Sequence, residues 1–69
     1  MNTNTQDYFG LHNDAGCYFE TVSASDIYSA AANFAKKYSG KGWVIVSGDA
    51  AYRVSFANNR AYFYGHRKF

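Results

Sequence analysis

Two histidines, one cysteine and a set of tyrosines interleaved with arginines are the side chains of this sequence that have chemistry to offer. His12 and His66 would make an acid–base pair for RNA cleavage, with Arg67 or Lys68 holding phosphate, if the outer strands brought them together. Nothing in their spacing requires that meeting, and two histidines at unrelated strand ends are ordinarily surface residues, so no catalytic residue is assigned. Cys17 alternates with Phe19 on the expected inward face and has no basic neighbour in sequence to activate it, which makes it a small buried hydrophobe. No Cys and His spacing resembles a zinc site, and there is no P-loop or GxGxxG. Gly40 and Gly42 flank Lys41 but follow a helix, whereas a phosphate cradle precedes one. No metal and no cofactor is expected.

The tyrosines and arginines are the stronger lead. Aromatic rings stack nucleic-acid bases while guanidinium groups pair phosphates. The same two residue types are enriched at the hot spots of protein interfaces. Antiparallel sheets also carry them on a wet face for cross-strand pairing alone. Which use applies depends on the elements that position them.

Residues 1–6 are polar after the initiator and read as a frayed start, leaving 7–69 as a single α+β domain. Tyr8 to His12 and Cys17 to Thr21 alternate around the turn chemistry of Asn13, Asp14, Ala15 and Gly16, which predicts a β-hairpin. Phe9, Leu11, Cys17 and Phe19 would face inward, with Tyr8, His12, Tyr18 and Glu20 outward. Ser23 then reads as a helix N-cap with Asp26 in the capping-box position and Val22 and Ile27 as a hydrophobic staple. Ile27, Ala30, Ala31, Phe34, Ala35 and Tyr38 form one apolar stripe on a helix of about fifteen residues. Lys36 and Lys37 suit the negative end of its dipole, and Ser39 to Gly42 reads as its stop and the chain reversal.

Trp43 to Ser47 is a continuous apolar run, as expected of a central strand covered on both faces or nearly so. Two alternating strands, Tyr52 to Ala57 and Arg60 to Gly65, follow, joined by Asn58 and Asn59, which tolerate the positive φ of a two-residue turn. That loop predicts the register Ala57 to Arg60, Phe56 to Ala61, Ser55 to Tyr62, Val54 to Phe63 and Arg53 to Tyr64. Tyr52, Val54, Phe56 and Phe63 would be its apolar side; Arg53, Ser55, Arg60, Tyr62, Tyr64 and His66 would be its other side. The fold expected is therefore a single antiparallel sheet of about five strands in ββαβββ order with one helix packed on one face. One helix covers one face, so the other is left to solvent or to a partner.

Length and charge narrow the function. A chain of 69 residues is too small for a buried cleft plus a full core, so an enzyme is not expected. Residues 1–35 hold Asp7, Asp14, Glu20 and Asp26 and no lysine or arginine, while residues 36–69 hold all seven lysines and arginines against Asp49 alone. The net charge of +2 conceals this split, which favours an electrostatic partner. Neither a signal peptide nor a membrane-length apolar run is present, and the single cysteine suits a reducing compartment, so a cytoplasmic protein is expected.

The layout, with a first hairpin, the Ser23-Ala24-Ser25-Asp26-Ile27 helix start, a glycine-preceded apolar strand Trp43 to Ser47 and a closing aromatic hairpin, resembles small phage-encoded anti-CRISPR proteins that block type I Cas surveillance complexes. The resemblance is one of size and element order over nearly the whole chain. It implies inhibition by steric occlusion of a Cas subunit or of the nucleic-acid channel, with no chemistry, in the host cell cytoplasm. The expected function is thus non-enzymatic binding of a host protein or ribonucleoprotein complex. The partner-binding residues would be Arg53, Arg60, Tyr62, Tyr64, His66, Tyr18 and Tyr8, with Lys36 and Lys37 as a second patch or as a solvated helix end. The alternative is a small single-stranded nucleic-acid-binding protein using the same face. Exposed tyrosines would equally serve a homodimer seam.

Overall fold

The computed structural model describes residues 6–68, with side chains through Gly65. The expectation of a frayed start falls on residues 1–5, outside that range; Gln6 lies within it and accepts a hydrogen bond from the Ser23 hydroxyl at 3.0 Å. Five strands and one helix follow in the expected order: β1 (Asp7–Asn13), β2 (Tyr18–Ala24), α1 (Ile27–Ala35), β3 (Gly40–Ser47), β4 (Ala50–Ala57) and β5 (Arg60–Lys68). They form one sheet in the order β2-β1-β3-β4-β5, antiparallel throughout. Because β1 pairs antiparallel with both β2 and β3, those two strands run parallel, and parallel strands need a crossover. The helix supplies it, passing over one face to make a split βαβ unit.

That face holds the core. Phe9 and Leu11 of β1, Ile45 of β3, and Val54 and Phe56 of β4 pack with Ala30, Ala31, Phe34 and Ala35 of α1, all nearly inaccessible to solvent. Small alanines let the helix axis come close to the sheet, and Phe34 fills the space between. At one end Trp43, Tyr38, Phe19 and Phe56 form an aromatic cluster with ring centroids 4.9 to 6.1 Å apart. The two contacts of Phe19, with Tyr38 and Trp43, are edge-to-face, a geometry that adds to the area each ring buries.

Asn58 and Asn59 make the closing turn with φ of 54° and 61°. They fix the expected register from Ala57↔Arg60 to Val54↔Phe63. Beyond it the register slips: Arg53 pairs with Gly65 instead of Tyr64, because Tyr64 is an extra residue forming a β-bulge. His66 consequently pairs with Tyr52 in the backbone, one position away from the expected alternation. Its side chain lies outside the described residues.

A second bulge corrects the first hairpin. Leu11 pairs with Glu20 and His12 with Tyr18, so Phe19 is the extra residue and Glu20 moves to the helix side. Cys17 is exposed, not inward, since it belongs to the turn, where its N–H and that of Ala15 both donate to Asn13 Oδ1 at 2.9 Å. The helix is nine residues long and is capped by Asp26, whose Oδ1 accepts from the Ser29 N–H at 2.8 Å. Ser23 is no cap because it lies in β2, where the ladder with β1 runs as far as Asp7↔Ala24 and holds those residues extended. Val22 and Ile27 therefore reach the core from sheet and helix separately, without forming a staple. At the other end the Lys37 and Tyr38 N–H groups both donate to the Phe34 carbonyl, tightening the last turn. Gly40 and Gly42 already belong to β3, with φ of 96° and 87° and a register break before Trp43.

Candidate functional site

The face opposite the helix is where the side chains with recognition chemistry gather. Their exposure follows from the two-layer fold, since nothing in the described chain stacks on that side apart from the β1–β2 turn at its rim. By register Arg53 and Tyr62 lie on one side of β4 and β5, with Tyr64 at the adjoining bulge, and Tyr62 is 49% and Tyr64 52% exposed. The Arg53 stem lies over Gly65, where an added Cβ would stand 3.6 Å from the Arg53 Cδ. A glycine at that bulge therefore leaves the flat bed on which the arginine rests. Ser55, opposite Tyr62, separates this cluster from the hairpin end.

On the other side of the face, Tyr8 and Tyr18 project from β1 and β2 and are 74% and 59% exposed. Tyr18 meets the His12 ring edge-on at 5.6 Å and shares a 2.8 Å hydrogen bond with the Thr21 hydroxyl. His12 and the β5 backbone that carries His66 are separated by β3 and β4, about 14 Å at ordinary strand spacing, so the sheet does not pair the two histidines.

Between the two aromatic groups runs a trough that the sequence did not reveal. His12, Val44, Val46 and Ala51 floor an open depression of about 380 Å³, with Asn13 to Gly16 as its bank. Val44 and Val46 are half-buried here, although a continuous apolar run had suggested a strand covered nearly completely on both sides. Ile45, on the helix side, is fully buried. A run of Val-Ile-Val looks the same in a doubly covered strand and in one whose second face awaits a partner. The signal that separates the two is the supply of covering elements, and one helix is enough for a single face.

The remaining candidates sit apart from the trough. Arg60 is at the β4–β5 hairpin end, where its pairing with Ala57 puts it on the Tyr62 side of the strand, and it also borders a groove shared with Tyr28 of the helix. Lys36 and Lys37 follow the helix C-terminus on the covered side, apart from the tyrosines of the open face. Lys37 Nζ donates to Glu20 Oε1 at 3.1 Å, the one salt bridge among the described residues, and Tyr38 donates its hydroxyl to Glu20 Oε2 at 2.7 Å. Lys36, the other member of the expected lysine patch, has no ion pair among the described residues.

The Glu20 contacts carry a pH signature. The Tyr38 hydroxyl, and then the Lys37 ammonium, hold the Glu20 carboxyl below its ordinary value of 4.5. The same hydrogen bond to Glu20 raises the Tyr38 hydroxyl above 10.0. A depressed carboxyl contributes stability that is present above 4.5 and is lost as pH falls through the lower folded value. The raised tyrosine contributes below 10.0 and loses it as pH rises through the folded value. Glu20→Gln is expected to flatten both limbs of a plot of melting temperature against pH; superimposable acid limbs for the two proteins would show that the contact adds nothing.

The strand order turns the chain's charge split into a spatial one. β1, β2 and their turn carry Asp7, Asp14 and Glu20 and no lysine or arginine, while β4 and β5 carry Arg53, Arg60, Arg67 and Lys68 and no acid. These pairs lie on opposite sides of β3, so the charge gradient crosses the sheet from edge to edge. Among the described residues no group of three or more His, Cys, Asp or Glu is placed to hold a metal ion. Nor is any described helix long and apolar enough to cross a membrane. No family model, curated protein or solved structure matches the chain.

Proposed function

We propose that this chain is a non-enzymatic binding protein that docks through its open sheet face onto the surface of another protein. The observation that carries this reading is the Val44, Val46 and Ala51 trough flanked by Tyr62, Tyr64 and Arg53 on one side and Tyr8 and Tyr18 on the other. An apolar centre rimmed by tyrosine and arginine is the composition of a protein interface, where a few aromatic and arginine anchors supply most of the affinity. A groove that tracks a nucleic-acid backbone needs positive charge along its length. Here the trough itself is lined by Asp14 and by no lysine or arginine, with Arg53 opposite Val44 at its β4 side.

In its specific form the proposal is that the partner is a type I Cas surveillance complex and that the protein works by occluding it, in the host cell cytoplasm. Support for that form is the resemblance in size and element order to small anti-CRISPR proteins, together with a face suited to covering a protein surface. The second reading, a single-strand nucleic-acid binder, is favoured by the grouping of Tyr62 and Tyr64 beside Arg53, which offers stacking planes and a phosphate contact.

One experiment separates them. Purified type I surveillance complexes and labelled single-stranded DNA and RNA are each titrated with the protein at two ionic strengths. The proposal expects saturable binding to a complex, loss of that complex's target binding, and little affinity for free oligonucleotide. Tight oligonucleotide binding that weakens steeply with salt would replace it with the second reading, and absence of binding to any complex would remove the Cas assignment.

A further inference from the structure

On the helix side of the molecule, away from the open face, α1 runs beside β5 and leaves a groove between them. Tyr28, Ala31 and Ala32 of the helix form one wall, Ala61 and Phe63 of β5 the other, and Arg60 closes one end, around a volume of about 400 Å³. Tyr28 is 71% exposed and meets Phe63 edge-on at 5.7 Å, so its ring stands above the strand instead of sealing the gap. A second depression of about 220 Å³ continues past the same two rings to Ile27 and Tyr52.

β5 is also a sheet edge. In a hairpin with a two-residue turn the closing pair, here Ala57 and Arg60, exchanges both backbone hydrogen bonds, and alternate pairs do the same. Arg60 and Tyr62 therefore spend their N–H and C=O groups on β4. Those of Ala61 and Phe63, the residues whose side chains line the groove, point outward along the free edge. Backbone pairing and an apolar slot are thus offered by the same two residues. The Tyr64 bulge ends this regular stretch and fixes its length.

We propose that this groove takes an extended peptide segment of a partner protein as a sixth, antiparallel strand, reading the pattern apolar, any residue, apolar, acidic from N- to C-terminus. Directly opposed residues share a face of the sheet. The two peptide residues facing Phe63 and Ala61 then enter the slot under Tyr28 and Ala32, and the next one faces Arg60, which has no ion pair among the described residues. Charge selects this occupant over a second copy of the chain. β5 holds Arg60, Arg67 and Lys68 and no acidic residue, so pairing β5 with its own copy would bring like charges together.

The probe is a fluorescein-labelled, end-blocked octapeptide, Thr-Thr-Val-Thr-Val-Glu-Thr-Thr, compared with the same residues in reverse order. Saturable binding below about 1 mM is expected for the first, with the reversed peptide and Arg60→Glu each weakening it about tenfold. Replacing the peptide glutamate with lysine should restore binding to Arg60→Glu, which a merely structural role for Arg60 would not produce. Hydrogen exchange at the Ala61 and Phe63 amides should slow on saturation. Arg53→Glu, on the open face, should leave peptide affinity within about twofold, so failure here is distinguishable from failure of the proposed docking face. No binding to the folded protein at about 1 mM, equal binding of both peptides, or a concentration-dependent dimer that the peptide does not dissociate would overturn the proposal.

Discussion

Replacing Phe34 with alanine is expected to lower the melting temperature by about 15 °C or more and to populate unfolded chain at 25 °C. Phe34 is 1% exposed and is the largest side chain the helix contributes to the core. Its neighbours along the stripe are alanines, and Ile27, the other large residue that the helix packs against the core, stands seven residues or about two turns away, too far to collapse into the space. Truncating a buried phenylalanine costs about 3–5 kcal/mol through lost transfer free energy and the cavity left behind. A domain of 69 residues has roughly 3–10 kcal/mol to lose, with no disulfide to support it. Tyr8→Ala is the matched control, since Tyr8 is 74% exposed and its truncation should shift the melting temperature by only a few degrees, about 4 °C at most. Calorimetry or circular dichroism reads both. If Phe34→Ala melted within about 4 °C of the parent, the helix would not be the cover of this core and the two-layer description would fail.

The same contrast between packing and pattern explains what could be read in the sequence. The β4–β5 register was legible because Asn58 and Asn59 admit one tight turn, and a tight turn sets every pair that follows until a bulge intervenes. Bulges at Phe19 and Tyr64 were not legible, since a strict alternation of two carries no mark where one residue is added. Asp26 and Ser23 both fit a helix cap on local chemistry. The choice between them was made by a tertiary contact, the β1–β2 ladder reaching Ala24. Strand order depends on where the crossover helix returns the chain, which no local pattern encodes. It nevertheless decides that the acidic and basic halves of the sequence become opposite sides of the sheet. Of the candidate face, the Tyr and Arg residues were visible from alternation, whereas the valine trough was concealed inside a run that looked like core.

Combining Arg53→Glu with Tyr62→Ala is expected to weaken docking of the open face by about 100-fold or more while leaving thermal unfolding nearly unchanged. Each residue alone has the character of an interface anchor, for which truncation costs about 2 kcal/mol or more when the contact is desolvated. Reversing the charge at Arg53 adds a like-charge penalty wherever the partner presents a carboxylate. Neither change reaches the core: Tyr62 is 49% exposed, and Arg53 lies over Gly65 on the surface. The stability cost should therefore stay near the level of ordinary surface substitutions, about 0.5 kcal/mol each. Val44→Asp tests the trough separately, because a carboxylate placed in the apolar centre of an interface must be desolvated without a partner. Rim substitutions and the trough substitution should fail together if one partner covers the whole face. Loss confined to Arg53 and Tyr62, with Val44→Asp binding normally, would place contact on the β4–β5 tyrosines alone and put the nucleic-acid reading ahead of the protein-docking one. Unimpaired binding by all of these variants would mean that the partner meets the helix side, where the Tyr28 groove and Lys36 are the next surfaces to change.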